Sequence, residues 1–199
     1  MSTETCVIVG HGLSPLHKGW GQSIDQYTVI RMKDPSWQSK EDYGKRMDYC
    51  CASTETMLGM LDDRRTAKQY WAQPKKGQWN KHTEGIFRTR LQARGVPKVE
   101  LVIAEELFKR WNALFLRLNQ EREEVRNHSL GMFAITATAE FLKPQTILLV
   151  GFDNLMNPMK PDYWKANRGK WTSGHDWLAE HAMLSTIEKQ YAVEIKPWA

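Results

Sequence analysis

The chain has 199 residues, 41% hydrophobic and 26% charged, with a formal net charge of +5 and a pI near 9.1. That length supports one domain with its own core and no need of disulfides or metals. No apolar run approaches the roughly 20 residues that a membrane span requires. Three cysteines, Cys6, Cys50 and Cys51, form an odd count with an adjacent pair, which excludes a disulfide framework and CxxC metal spacing. A reducing, cytoplasmic setting is expected, and the opening MSTETCVIVGHG lacks the basic stretch of a signal peptide. Lys and Arg are interleaved with acids, and the densest basic stretch, KPDYWKANRGK from Lys160 to Lys170, holds four cations and one acid. Such a balance suits solubility, or one anionic small ligand, better than nucleic acid.

In chain order, CVIV (6–9) reads as a short buried strand that stops at Gly10-His11-Gly12 and runs through a glycine-bearing loop into a helix. YTVIRM (27–32) predicts a second strand. Residues 62–97 are polar, aromatic and weakly periodic. VELVI (99–103) is again strand-like, followed by a helix from Glu105 to about Leu118. Residues 121–126 are charged. Leu130 to Leu142 has helical spacing and ends at Lys143-Pro144, and ILLV (147–150) closes a further strand on Gly151. Short apolar strands alternating with helices predict one α/β domain over 1–199, with a mainly parallel sheet covered on both faces.

Ligands of such sheets bind beyond the carboxyl ends of the strands. Three places qualify: Gly10 to Gly12, Gly131 with Ser129 before it, and Gly151 to Asn154. Glycine allows close backbone approach, and a helix start offers free N–H groups to a phosphate. The first of these, GHGLSPLHKGWG, is neither a GxGxxG fingerprint nor a P-loop. Near the end, GHDWLAEHAML (174–184) brings His175, Glu180 and His181 into a helical run. His175 reads from the residues alone as a general base, a metal ligand, or a polar residue at a helix start. The metal trio is the poorest option, because HExxH spacing is absent.

Taken in series, these segments resemble the sialyltransferase family. VIVGHGL (7–13), GWGQSID (19–25), Val29 to Arg31 and DYGKR (42–46) resemble its large motif. HSLGM (128–132), Ala137 and ILLVGF (147–152) resemble its small motif, Tyr163-Trp164 its third motif, and His175 with Glu180 its very small motif. Val99 to Trp111 resembles an intermediate strand–helix segment, leaving 54–96 as a divergent insert, expected on the acceptor side. The resemblance implies a Rossmann-like, GT-A-like domain and an inverting, metal-independent glycosyl transfer with no cofactor. The co-substrate is a nucleotide sugar, CMP-linked, and the acceptor is a hydroxyl on a glycan or a modified nucleic acid.

By the same resemblance His175 is the catalytic base, a role suited to an imidazole titrating near neutrality, while Glu180 supports local structure. Gly10, His11, Gly12, Ser129, Leu130, Gly131, Gly151, Phe152 and Asp153 are expected to line the nucleotide site. The family's nucleotide-contacting Asn is replaced by His11. Its third-motif His is replaced by Asp162, which does not donate to a phosphate when ionised. Lys160, Lys165 and Arg168, with Tyr163, are expected to stabilise the leaving phosphate. The paired cysteines and membrane anchor of the animal enzymes have no counterpart, which suggests a short soluble microbial or viral-type relative. The alternative is a non-catalytic module that binds nucleotide or nucleic acid.

Overall fold

A computed structural model of the chain describes residues 4–33, 38–53, 67–74, 85, 86, 89, 93, 100–119, 127–156 and 176–198. Seven strands form one sheet: β1 (Thr5–Val9), β2 (Thr28–Met32), β3 (Tyr49–Ser53), β4 (Gln69–Gln73), β5 (Glu100–Ile103), β6 (Thr146–Val150) and β7 (Glu194–Pro197). Their order is β5-β4-β3-β2-β1-β6-β7, and every pairing is parallel. The described helices are α1 (Gly21–Ile24), α2 (Lys40–Tyr43), α3 (Glu105–Leu118), α4 (Leu130–Phe141), α5 (Asp153–Met156) and α6 (Trp177–Tyr191).

The central strands are apolar at nearly every position because both of their faces are covered. In β1, alternation sends Cys6 and Ile8 to one core and Val7 and Val9 to the other. The first core is built with α3, α4 and α6, and the second with Ile24 of α1 and Tyr43 of α2. Helix α4 (LGMFAITATAEF) crosses the first face and is buried almost all round, which accounts for its lack of a polar side. Its two threonines satisfy their hydroxyls within the helix, Thr136 on the Phe133 carbonyl at 3.0 Å and Thr138 on that of Ala134 at 2.8 Å.

The strands read at 6–9, 27–32, 99–103 and 147–150 and the helices read at 105–118 and 130–142 are present. The helix expected after the Gly10–Gly12 loop is only the four-residue α1. Three strands escaped the sequence reading. β3 (YCCAS) and β4 (QYWAQ) end in polar residues that blur the apolar run, and β4 falls inside the 54–96 segment. β7 (EIKP) is an edge strand that buries little beyond Ile195 and ends on a proline, which edges tolerate. The chain winds outward from β1 through β2 to β5, whereas β6 and β7 lie on the other side of β1. The switch point is therefore at the carboxyl ends of β1 and β6, where α/β sheets bind ligands. Among the described residues, no helix is long and apolar enough to cross a membrane.

Candidate functional site

Three segments meet at that switch point. Gly10 donates its N–H to the Val150 carbonyl, and Gly12 donates to that of Gly151, each at 2.7 Å, lacing the end of β1 to the end of β6. Gly151 holds φ at +67°, a left-handed conformation that favours glycine. A Cβ on Gly10 would stand 2.6 Å from the Gly151 carbonyl oxygen and 2.9 Å from the Phe152 ring. One on Gly131, in the first turn of α4, would stand 3.0 Å from the same ring. Phe152 is thus wedged between the two glycine-bearing segments, and its near-complete burial makes it a packing element of the site floor.

Ser129 caps α4, its Oγ accepting from the Met132 N–H at 3.1 Å. Its own N–H and hydroxyl both donate to Glu180, to Oε1 at 2.7 Å and to Oε2 at 2.6 Å. Glu180 is fully buried, and these two short bonds place its carboxyl group beside the amino-terminal end of α4. Glu180 also lies in the first turn of α6, whose N-cap Asp176 accepts from the N–H groups of Leu178 and Ala179. One carboxylate therefore ties the start of α6 to the start of α4. These contacts are of the local, structural kind expected for Glu180.

His128, beside this tether, packs against Phe108 in a tilted arrangement, ring centroids 4.9 Å apart and planes at 55°, and donates from Nδ1 to the Ser129 carbonyl. Burial pushes its pKa down, and this outweighs the Ser129 carbonyl, Glu180 and the Phe108 backbone, which favour the cation. It is neutral at physiological pH. Burial pushes the Cys6 thiol up to about 12, aided by Asp48, and raises Cys51 as well. These thiols are inert as nucleophiles.

The other expected residues take varied places. The Oδ2 of Asp153 accepts from the N–H groups of Leu13 (2.7 Å) and Ser14 (3.0 Å), so this carboxylate clamps the β1 loop. His11 Nε2 lies 2.9 Å from the Met32 carbonyl at the end of β2, and because a carbonyl only accepts, the ring donates there. The Leu130 side chain belongs to the core. His181 donates from Nδ1 to the Leu155 carbonyl at 3.0 Å and so docks α6 on α5. His175, Lys160, Asp162, Tyr163, Lys165 and Arg168 lie outside the described residues.

Of the residues holding the β1 loop from behind, Arg31 and Tyr43 figure in the sequence only as parts of the large-motif resemblance, without a role, and Gln38 is not singled out. A further signal was an arginine at an inward position of an otherwise apolar strand, VIRM.

The profile of glycosyltransferase family 29 (sialyltransferase) matches residues 1–192. No curated protein matches the chain by sequence. Among solved structures, the fold is similar to a mammalian sialyltransferase (TM-score 0.62, 19% identity, covering 98% of this chain and 70% of that one). It is also similar to the sialyltransferase CstII from Campylobacter jejuni in complex with a substrate analogue, cytidine-5′-monophosphate (TM-score 0.57, 14% identity, 99% and 80% covered). A further similar structure is CST-II in complex with trisaccharide acceptor and CMP (TM-score 0.53, 16% identity, 97% and 80% covered). With the family profile spanning residues 1–192, nearly its whole length, the chain belongs to glycosyltransferase family 29, the sialyltransferases.

Proposed function

We propose that this glycosyltransferase moves a sialic-acid-type sugar from a CMP-linked donor to a hydroxyl group of a glycan, with inversion and without a metal. The observation that carries the reading is the switch point where Gly10, Gly12, Gly151 and the Ser129–Gly131 helix start converge. The glycines let these segments pack against one another there, and the first turn of α4 is a helix start, whose N–H groups are of the kind that bind phosphate. The relatives solved with CMP and with a trisaccharide acceptor support the donor base and the acceptor class. Neither of them supports a nucleic-acid acceptor.

In the proposed reaction the acceptor oxygen attacks the anomeric carbon from the face opposite the CMP phosphate. The new glycosidic bond forms as the bond to phosphate breaks, which inverts the centre. His175 takes the acceptor's proton, and CMP departs with the electron pair. The cations Lys160, Lys165 and Arg168, with the Tyr163 hydroxyl, neutralise the phosphate in place of the family's third-motif histidine. Charge stabilisation developed only in the transition state raises kcat without tightening ground-state binding. The start of α6, which follows His175 in sequence, is capped by Asp176 and tied through Glu180 to Ser129 at the start of α4, on the proposed donor side of the site. We place the protein in the cytoplasm, where its buried free cysteines stay reduced.

Calorimetric titration of CMP, CDP, UMP and UDP, followed by transfer assays with CMP-sialic acid on a glycan panel with and without EDTA, tests the proposal. Selective CMP binding and EDTA-resistant transfer are expected, and preference for a uridine nucleotide overturns the donor assignment. His175→Ala is expected to keep CMP affinity while transfer falls roughly 10²–10⁴-fold, the usual range for a lost general base. A second reading, nucleotide binding without turnover, is favoured by Asp162 at the third motif, and any measured transfer eliminates it.

A further inference from the structure

Arg31 is fully buried on the sheet face opposite α4. Its Nε donates to the Arg46 carbonyl at 2.8 Å, its Nη2 to the Tyr43 carbonyl at 2.8 Å and its Nη1 to Gln38 Oε1 at 3.2 Å, with Asp25 Oδ1 at 4.0 Å. The two residues it grips then reach the site loop. Gln38 Nε2 donates to the Gly10 carbonyl at 2.6 Å, and the Tyr43 hydroxyl donates to the Gly12 carbonyl at 2.8 Å. A guanidinium has only donors, so its bond to Oε1 dictates which way the Gln38 amide faces and leaves Nε2 for Gly10. The charge also polarises the Gln38 amide, which strengthens its bond to Gly10, whereas Tyr43 is held in place by its backbone carbonyl.

The arrangement is more than packing requires. A buried ionic group can often be replaced by an apolar residue of similar size without loss of stability, and the neighbouring Val29 shows what this face otherwise takes. What the arginine adds is control over two specific peptide groups. A peptide unit is planar and trans, so a carbonyl pinned on one side sends the next N–H to the other. The Gly12 carbonyl is held by Tyr43, and the following N–H, of Leu13, does point away from it, onto Asp153 at 2.7 Å. The Gly10 carbonyl is held by Gln38, which by the same geometry directs the His11 N–H away from Gln38. Both glycine peptides are thereby held in one orientation, with the Leu13 N–H taken by Asp153 and the His11 N–H directed away from Gln38.

We infer that Arg31, Gln38 and Tyr43 are positioning residues that pre-set the Gly10–Gly12 backbone for the nucleotide phosphate of the donor. The inference rests on the proposed donor site, and its test separates the two. Tyr43→Phe removes one hydroxyl and Gln38→Met one amide, each at nearly constant volume. Tyr191→Phe is the control, removing a hydroxyl bonded to Glu140 on the other face of the sheet. Melting temperature, CMP dissociation constant, and amide hydrogen exchange over residues 10–13 are measured for all three. Tyr43→Phe and Gln38→Met are expected to raise the CMP dissociation constant by about 5–20-fold, the scale of one lost hydrogen bond to a group that matters for binding, and to speed exchange at 10–13. Tyr191→Phe should lower the melting temperature comparably while leaving both other readouts at wild type. Wild-type CMP affinity in both loop variants overturns the inference. If wild-type protein binds no CMP, the donor proposal fails, and exchange at 10–13 alone decides: faster in the two variants than in the control upholds the positioning role, and equal rates overturn it.

Discussion

The two faces of the sheet are built on different principles. Against one, α3, α4 and α6 pack an extensive apolar cluster that includes Trp71, Trp111, Phe115, Phe133, Met183 and Ile187. Against the other, the buried apolar set among the described residues is Val7, Val9, Ile24, Val29, Tyr43 and Val150, and polar groups do the rest. There Asp42 accepts from the Gly19 N–H, Asp25 from those of Lys45 and Arg46, and Asp48 from that of Val29 while pairing with Arg46 and Lys68. The thick face derives its stability from area removed from water, which is non-directional. The thin face relies on directed bonds, and directed bonds can fix the peptide orientations of a binding loop. With the donor site as proposed, stability and ligand geometry fall largely to opposite sides of one sheet.

That separation can be broken in three ways. The largest effect is expected from Phe115→Ala on the thick face, where loss of a fully buried ring destabilises by about 3–5 kcal/mol. Urea denaturation should show this loss, while the folded fraction binds CMP as the wild type does. A shift in CMP affinity beyond about threefold would show that the two faces are coupled. Glu180→Gln comes next, because this residue is where the thick face reaches the site through polar bonds. The amide keeps one acceptor for two Ser129 donors and presents its NH₂ to the other, a loss of about 1–3 kcal/mol. Here both melting temperature and CMP affinity should fall, and a change in stability alone would confine Glu180 to scaffolding.

The smallest effect is a pH dependence with two separate limbs. Burial depresses the folded pKa of His128 below the ordinary 6.5, so the unfolded chain binds the proton first and stability declines as pH falls below about 6.5. Asp48 is lowered below 3.8: burial opposes its ionisation, but Arg46, the Val29 N–H and Lys68 outweigh it. Its contribution is complete above 3.8 and is lost as pH falls further, through the folded value. Melting curves should therefore show a first decline from the thick face, removed by His128→Gln, and a second, more acidic one from the thin face, reduced by Asp48→Asn. A first limb that survives His128→Gln would place the titrating group elsewhere.

Much of the site was legible because it is made of local signals. CVIV running into Gly10-His11-Gly12, ILLV into Gly151, and Ser129 at the start of an apolar helix each announce a strand end or a cap through residues adjacent in sequence. What escaped was long-range. Gln38 and Tyr43 reach Gly10 and Gly12 from about thirty positions away, and Glu180 grips Ser129 across 51. β3 and β4 gave weak patterns because their ends carry polar residues whose partners lie on other strands and helices.

The sequence by itself determined a parallel α/β domain, the glycine-bearing segments at two strand ends and one helix start, and the family, because short apolar runs, turns and motif residues are properties of neighbouring positions. Only the tertiary structure decided that the β1 loop is fixed by a buried arginine, that Asp153 clamps Leu13 and Ser14, and that His11 turns to the Met32 carbonyl. The physical reason is that a charged or polar side chain has several possible partners of equal chemistry. Which one it meets depends on how the sheet is ordered and twisted, and no local pattern in the chain encodes that choice.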